Sequence, residues 1–172
     1  MASLTHLSRR FVGSLRPGGP PPTDCEWVAN QLLPTELELW VGMSGPDRRH
    51  SVEVARRVER ALGHEATRPV LAAALLHDVG KSVPGLRTYG RVIASLSAMV
   101  GGHEMADHWS KKRGFTRKVG LYLRHDELGA DLLRIAGSDP LTVTWAREHH
   151  WPEGMWSLDT EIAHVLKAAD DD

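Results

Sequence analysis

The sequence predicts an all-α domain. Apolar residues recur at spacings of three and four through nearly every segment after Thr23, and Gly and Pro fall where such segments begin and end. No stretch alternates with period two for long enough to make a strand, and no internal repeat is present. At 172 residues the chain accommodates one domain with a proper core plus a tail, and is short for two.

Residues 1–22 read as a basic arm and linker, and 23–172 as the domain. Within the arm, Leu4, Leu7, Phe11 and Leu15 share one helical face, with Arg9, Arg10 and Arg16 elsewhere. That pattern suits a helix packed on its own domain or a frayed tail, with docking to a membrane or partner as the alternative. The Pro-Gly-Gly-Pro-Pro-Pro run at 17–22 admits neither helix interior nor central strand and closes the arm.

Asp24 is placed to cap a helix carrying Trp27, Val28, Gln31 and Leu32, and Pro34 to open the next, through Leu37 and Trp40. Asp47 precedes a run in which His50, Val54, Val58 and Leu62 are spaced by four, closed by Gly63. Arg68-Pro69 starts a helix through Leu71, Ala74, Leu75 and Asp78, ended by Gly80 and Pro84. Later helices are predicted over about 87–100, from about Thr116 through Leu123, about 126–136, 140–150, and from Leu158 to the end. The chain stops at Asp172, so the final helix is expected either to fray or to continue in a longer protein.

Composition narrows function less. Hydrophobic residues at 41% and charged residues at 25% exclude disorder, and a net charge of −1 gives no global attraction to nucleic acid or anionic membrane. No stable nucleic-acid complex is therefore expected, and nothing specifies an oligomer. No segment approaches the roughly eighteen apolar residues of a membrane span, and the arm lacks a secretory h-region, so the predicted location is cytoplasmic. Cys25 is alone, which excludes an intrachain disulfide and thiolate metal sites. Ten histidines remain as the unusual count.

Those histidines repeat a pattern. His50 aligns with Val54 and Val58; His77 and Asp78 follow Ala73, Ala74 and Leu75; His125 precedes Gly129, Leu132 and Leu133. His149 and His150 follow Trp145 and Ala146, and Asp170 follows Ile162, Ala163 and Leu166. A lone histidine on an apolar face is most often a satisfied core residue, but five helices here each aim a polar group inward. Burying them without partners would cost several kcal/mol in total, on the order of the desolvation penalty for each group, so they must compensate one another. A divalent cation does so economically, since imidazole nitrogen and carboxylate oxygen both suit borderline metals.

The tract from Leu71 to Lys81, Leu-Ala-Ala-Ala-Leu-Leu-His-Asp-Val-Gly-Lys, is similar to the signature of the HD phosphohydrolases. Asp47-Arg-Arg-His50 supplies an upstream histidine and Ala169-Asp170 a late aspartate, and the resemblance covers about residues 45–171. It extends to the family's two-metal subset, because His125-Asp-Glu-Leu-Gly resembles a third-histidine segment and Glu148-His149-His150-Trp-Pro-Glu-Gly a histidine pair before a loop. The resemblance implies two divalent cations, of Mn, Fe, Mg or Ni type. One would be held by His50, His77, Asp78 and Asp170, the other by His125, His149 and His150, with Asp78 bridging. Which of His149 and His150 binds is left open, and His103 is the rival ligand.

Two cations about 3.5–4 Å apart share a water, lower its pKa, and place hydroxide in line with phosphorus. Asp78 and Lys81 are the catalytic candidates. Lys81, with Arg117 and Arg124, is a candidate for binding substrate, although a solvated lysine at a helix end is an equally good reading of Lys81. A basic strip, Arg87, Arg91, Lys111, Lys112, Arg113, Arg117, Lys118 and Arg124 against Glu104 and Asp107, suits a small phosphorylated substrate such as a nucleotide. His103 and His108 read as surface or supporting residues, and His6 and His64 as surface. Trp151-Pro-Glu-Gly-Met-Trp156 replaces the Gly-Tyr-Pro of relatives that cleave cyclic dinucleotides, and the ligand spacing is more similar to dinucleoside tetraphosphate hydrolases. Two alternatives share the ligand set: a di-iron oxygenase on the same fold, and a regulatory metal-binding module. The second fits less well, since none of the expected ligand positions is empty.

Overall fold

The computed structural model describes residues 18–83, 85 and 107–171, and among them every regular element is helical. The arm with its apolar stripe, the helix predicted over about 87–100, and Arg87, Arg91 and His103 lie outside the described residues.

Eight α-helices are described: α1 (Pro22–Gln31), α2 (Pro34–Val41), α3 (Gly45–Leu62), α4 (Arg68–Leu76), α5 (Gly114–Leu123), α6 (His125–Ile135), α7 (Pro140–Glu148) and α8 (Thr160–Asp171). Proline at the first or second position opens five of them, where its missing N–H costs nothing and its fixed φ is already helical. This corrects the expectation for Asp24: α1 starts at Pro22, so Asp24 falls in its first turn and pairs with Arg56 at 3.7 Å instead of capping. Likewise α3 begins before Asp47, with Ser44 as its cap accepting the Asp47 N–H. Gly63 ends α3 at φ +55°, a conformation that disfavours a side chain.

The core forms around α4. Every residue from Val70 to Leu76 is buried, and a helix apolar on all sides is stable only when covered on all sides. The small side chains of Ala72, Ala73 and Ala74 let α3 and α7 approach closely, and α1, α2 and α8 complete the cover. Trp40, Val54, Val58, Leu133, Trp145 and Leu166 fill the space between helices. Their burial contributes roughly 1.5–3 kcal/mol for each large aliphatic side chain. Two polar groups that enter this core are matched there: the Trp40 indole N–H donates to Ser51 Oγ at 3.0 Å, and Glu36 Oε2 accepts from the Leu33 N–H at 2.8 Å and from Arg68 at 3.3 Å.

Two junctions fix the ends of α4 and α8 relative to their neighbours. After α4 the chain tightens through His77 and Asp78 into a 3₁₀ turn, Val79–Ser82, that lies on α6. Gly80 makes this possible, since a Cβ there would stand 1.9 Å from the His125 carbonyl oxygen and 2.7 Å from the Gly129 nitrogen. At the other junction, the Arg57 guanidinium of α3 donates to the Ala169 carbonyl at 3.2 Å and so ties α8 to α3 beside Asp170.

Gly80→Ala must therefore displace the turn from α6. The expected loss is about 1–3 kcal/mol, the usual cost of overpacking a core. It is to be read from the urea midpoint of the purified variant against that of the unsubstituted chain.

Candidate metal centre

Seven residues predicted as ligands converge at one end of α4. His50 comes from the first turns of α3, His77 and Asp78 from the exit of α4, His125 from the start of α6, His149 and His150 from the exit of α7, and Asp170 from the end of α8. Apart from His50, which is partly exposed, and His150, which presents an edge to solvent, all are buried.

Three of the histidines are held by the same local device. His77 Nδ1 donates to the Ala74 carbonyl at 2.9 Å, His125 Nδ1 to Tyr122 at 2.8 Å, and His149 Nδ1 to Ala146 at 3.0 Å. In each case the acceptor lies three residues earlier. The exchange leaves Nε2 as the outward-facing atom and stiffens the ring. Two of those outward atoms, Nε2 of His77 and of His149, are buried without a hydrogen bond. Such atoms are costly in a core unless something else binds them.

The carboxylate of Asp78 lies between two groups of these nitrogens. Its Oδ1 is 3.5 Å from His125 Nε2 and 3.6 Å from His149 Nε2, while Oδ2 is 3.5 Å from His77 Nε2. His150 Nε2 is 3.2 Å from His125 Nε2, which completes one cluster of Asp78, His125, His149 and His150. The second cluster is His50, His77 and Asp78. Asp170 joins it, with Oδ1 accepting from His50 Nε2 at 2.9 Å and standing 3.4 Å from His77 Nε2. Donors bound at about 2.0–2.2 Å to one tetrahedral cation are about 3.4 Å apart, so the spacings of 3.4–3.6 Å are compatible with a shared cation as well as with weak polar contacts. Both His149 and His150 reach the same cluster, and neither excludes the other.

The protein groups balance their own charge. Burial opposes ionisation of Asp78, but Lys81 and His77 outweigh it and hold the carboxyl well below its usual range. Asp170 is held down in the same way, against its burial, by His77 and His50. Burial also disfavours a charged His77, yet the adjacent Asp78 and Asp170 prevail and raise it to about 10. Two carboxylates thus face one imidazolium and the Lys81 ammonium. His149 is lowered by burial and then by the neighbouring His77, so it keeps a free lone pair at neutral pH. His150 is lowered as well, by the protein packed around its ring and by His149 and His125, despite its exposed edge.

The predicted substrate residues divide. Lys81 is half-buried and ion-paired with Asp78 at 2.5 Å, which sets aside the reading of a solvated helix-end lysine. Arg124 lies beside His125 but is engaged by Glu127 at 2.6 Å and Asp107 at 3.1 Å. Arg117 is exposed on α5, two turns before the site. His64 is exposed beside Glu65, and His108 is exposed, as expected of surface residues.

Sequence reasoning missed Glu148. Its carboxylate is buried and accepts the Ser157 N–H at 2.6 Å and the Ser157 hydroxyl at 2.7 Å, tying down the loop that begins with His149 and His150. That loop returns Trp156 onto Trp145, whose indole lies against His149. A charged residue directly before a histidine pair, at a position facing the core, was the available signal.

A family model described as HD domain matches residues 48–171, more than half of the chain. No curated protein and no solved structure matches significantly.

Two outcomes are expected. Because His77 is raised above its ordinary 6.5, its contribution to stability is fully present below that value and is lost as pH rises towards about 10. A divalent cation competes for the same Nε2, so its apparent affinity should rise across this window. Titration calorimetry at pH 7 in two buffers of different ionisation enthalpy should register about one proton released for His77. In the second, Glu148→Gln should free the loop and weaken cation binding by about 10–100-fold at the cluster containing His150, leaving the His50 cluster intact by competitive chelator titration.

Proposed function

The chain belongs to the HD-domain family, and from that premise we propose that it is a metal-dependent phosphohydrolase with two divalent cations, acting on a phosphate ester or anhydride of nucleotide type. The observation that carries the reading is Asp78, whose two carboxylate oxygens face different histidine clusters. One aspartate between two nitrogen-rich pockets is the arrangement a bridging ligand requires.

The residues fit the cations. In this reading His50, His77, Asp78 and Asp170 hold one, and His125, His149 and His150 hold the other, with Asp78 shared. Five imidazoles against two carboxylates favour borderline metals such as Mn, Fe or Ni over Mg, which prefers an oxygen-rich octahedron. Bound as a pair, the cations supply a water of lowered pKa and electrophilic stabilisation of a phosphoryl group.

The remaining work falls to the protein. Lys81, paired with Asp78, brings a positive charge to the rim where a phosphate must enter, and it can exchange its carboxylate partner for a phosphoryl oxygen without leaving the site. Arg124 can contribute only by loosening its pairs with Asp107 and Glu127, so its role is secondary to that of Lys81. Arg117 stands further out, where it meets the distal part of a substrate. The ligand spacing that resembles dinucleoside tetraphosphate hydrolases makes dinucleoside polyphosphates the first substrates to try.

The test is elemental analysis of the purified protein, followed by a screen of nucleotides, dinucleoside polyphosphates and phosphate esters with Mn²⁺, Fe²⁺, Mg²⁺ and Ni²⁺. We expect about two cations per chain and turnover that falls at least about a hundredfold in Asp78→Asn, in keeping with loss of a shared ligand. Iron-loaded protein that consumes oxygen with an organic substrate and releases no phosphate would instead establish the oxygenase reading. Full metal loading with no turnover on the panel would leave a binding module.

A further inference from the structure

The eighteen residues between Asp107 and Asp126 contain six cations, Lys111, Lys112, Arg113, Arg117, Lys118 and Arg124, and no carboxylate. In a chain of net charge −1, this is a marked segregation. All of residues 111–118 are exposed, and Phe115 among them leaves half of its surface in solvent. Lys111 and Arg124 are neutralised by Asp107 and Glu127. Lys112, Arg113, Arg117 and Lys118 make no ion pair among the described residues.

The direction of this patch is set by the fold. Val119, with Trp109, Tyr122 and Leu123 packed against it, turns one side of α5 inward and leaves the basic side outward. Arg113 stands at the start of α5 and Arg124 follows its end, with Arg117 and Lys118 exposed between them, so the cations form a stripe along its length. The stripe ends at His125, whose Nδ1 bonds back to the Tyr122 carbonyl. The ten residues of α5 rise about 15 Å, at roughly 1.5 Å per residue. A mononucleotide seated at the metal centre cannot reach Phe115 over that distance. About four nucleotides of a strand, at about 3.4 Å each, would span it.

We infer that α5 is a binding track for single-stranded nucleic acid, in which Lys112, Arg113, Arg117 and Lys118 contact successive phosphates and Phe115 stacks on a base. Arginine suits this role because its planar fork pairs with phosphate oxygens in two-point fashion. Phe115 lies one turn from Lys118 on α5, and an exposed aromatic beside cationic groups is the minimal stacking platform for an unpaired strand. The absence of a global positive charge argues only against strong long-range attraction, and a local stripe is enough for short-range phosphate contacts. The inference rests on the phosphohydrolase reading only for what happens at the His125 end of the track, since binding itself needs no turnover.

The experiment is fluorescence anisotropy with a labelled 12-mer single strand, about three times the span of α5, on the full chain without added metal and at several salt concentrations. Binding is expected at low salt, with log K falling against log salt with a slope of about −3, from four contacts at about 0.7 each. Arg113→Glu combined with Lys118→Glu should abolish that slope, and Phe115→Ala should weaken binding about tenfold, the order of one lost stacking contact. These variants should retain turnover of small phosphate substrates, which separates failure of the track from failure of the proposed chemistry. Unlabelled inorganic polyphosphate competing as well as the oligonucleotide, with no effect of Phe115→Ala, would overturn the assignment to nucleic acid. So would tighter binding to phosphatidylserine vesicles than to the strand, or no salt-dependent binding at all.

Discussion

The structure depends on one constraint: the carboxylate of Asp78 must be held at the end of the most deeply buried helix, within reach of nitrogens from three other helices. A buried anion is tolerated only where positive or hydrogen-bonding groups surround it. Lys81 and His77 provide the charge from its own segment. His125 and His149 approach its other oxygen from α6 and α7. The close passage of Gly80 over the His125 carbonyl permits this arrangement, because only a residue without Cβ lets the turn carrying Asp78 and Lys81 lie so near α6. The packing of α4, apolar on every side, then acts as a rigid post for a polar cluster at its tip.

The same logic explains why three ligand candidates occupy helix ends. A histidine in the last or first turn finds an unsatisfied carbonyl three residues back, bonds it with Nδ1, and points Nε2 past the helix terminus into shared space. His77 and His149 use the exits of α4 and α7, and His125 uses the exit of α5, whose final carbonyls face the start of α6. A fourth terminus, that of α8, brings Asp170. Arg57 and His50 hold this end in place by binding the Ala169 carbonyl and the Asp170 carboxylate.

Much of this was legible in the sequence because it follows from periodicity. A residue spaced by four from Val54 and Val58 must face the core, and so His50 was recoverable; so was Asp170, one residue after the buried Ala169. Helix starts were less legible wherever Pro competed with an acidic cap. Asp24 and Asp47 both satisfy the composition of a cap, and both were displaced into the first turn by a proline upstream that sets φ without needing a side chain. Glu148 and the Arg124–Asp107 pair were hidden for a different reason. They depend on groups nine and seventeen residues away, Ser157 and Asp107, whose approach is decided by loop geometry and leaves no periodic trace.

Charge balance links the fold to the proposed chemistry. As it stands, the site is compensated by a proton on His77 and the ammonium of Lys81, and each has a counterpart in the proposed catalytic state. A cation taking His77 Nε2 must displace the proton, so a metal able to compete with it at neutral pH is favoured over one that cannot. Once the cation neutralises Asp78, Lys81 no longer has to serve that carboxylate and becomes available to an incoming phosphate. In the proposed function, the ion pair that stabilises Asp78 among the protein groups is thus the device that reserves a positive charge for substrate. It requires no movement of the backbone, only an exchange of partners within a half-buried rim.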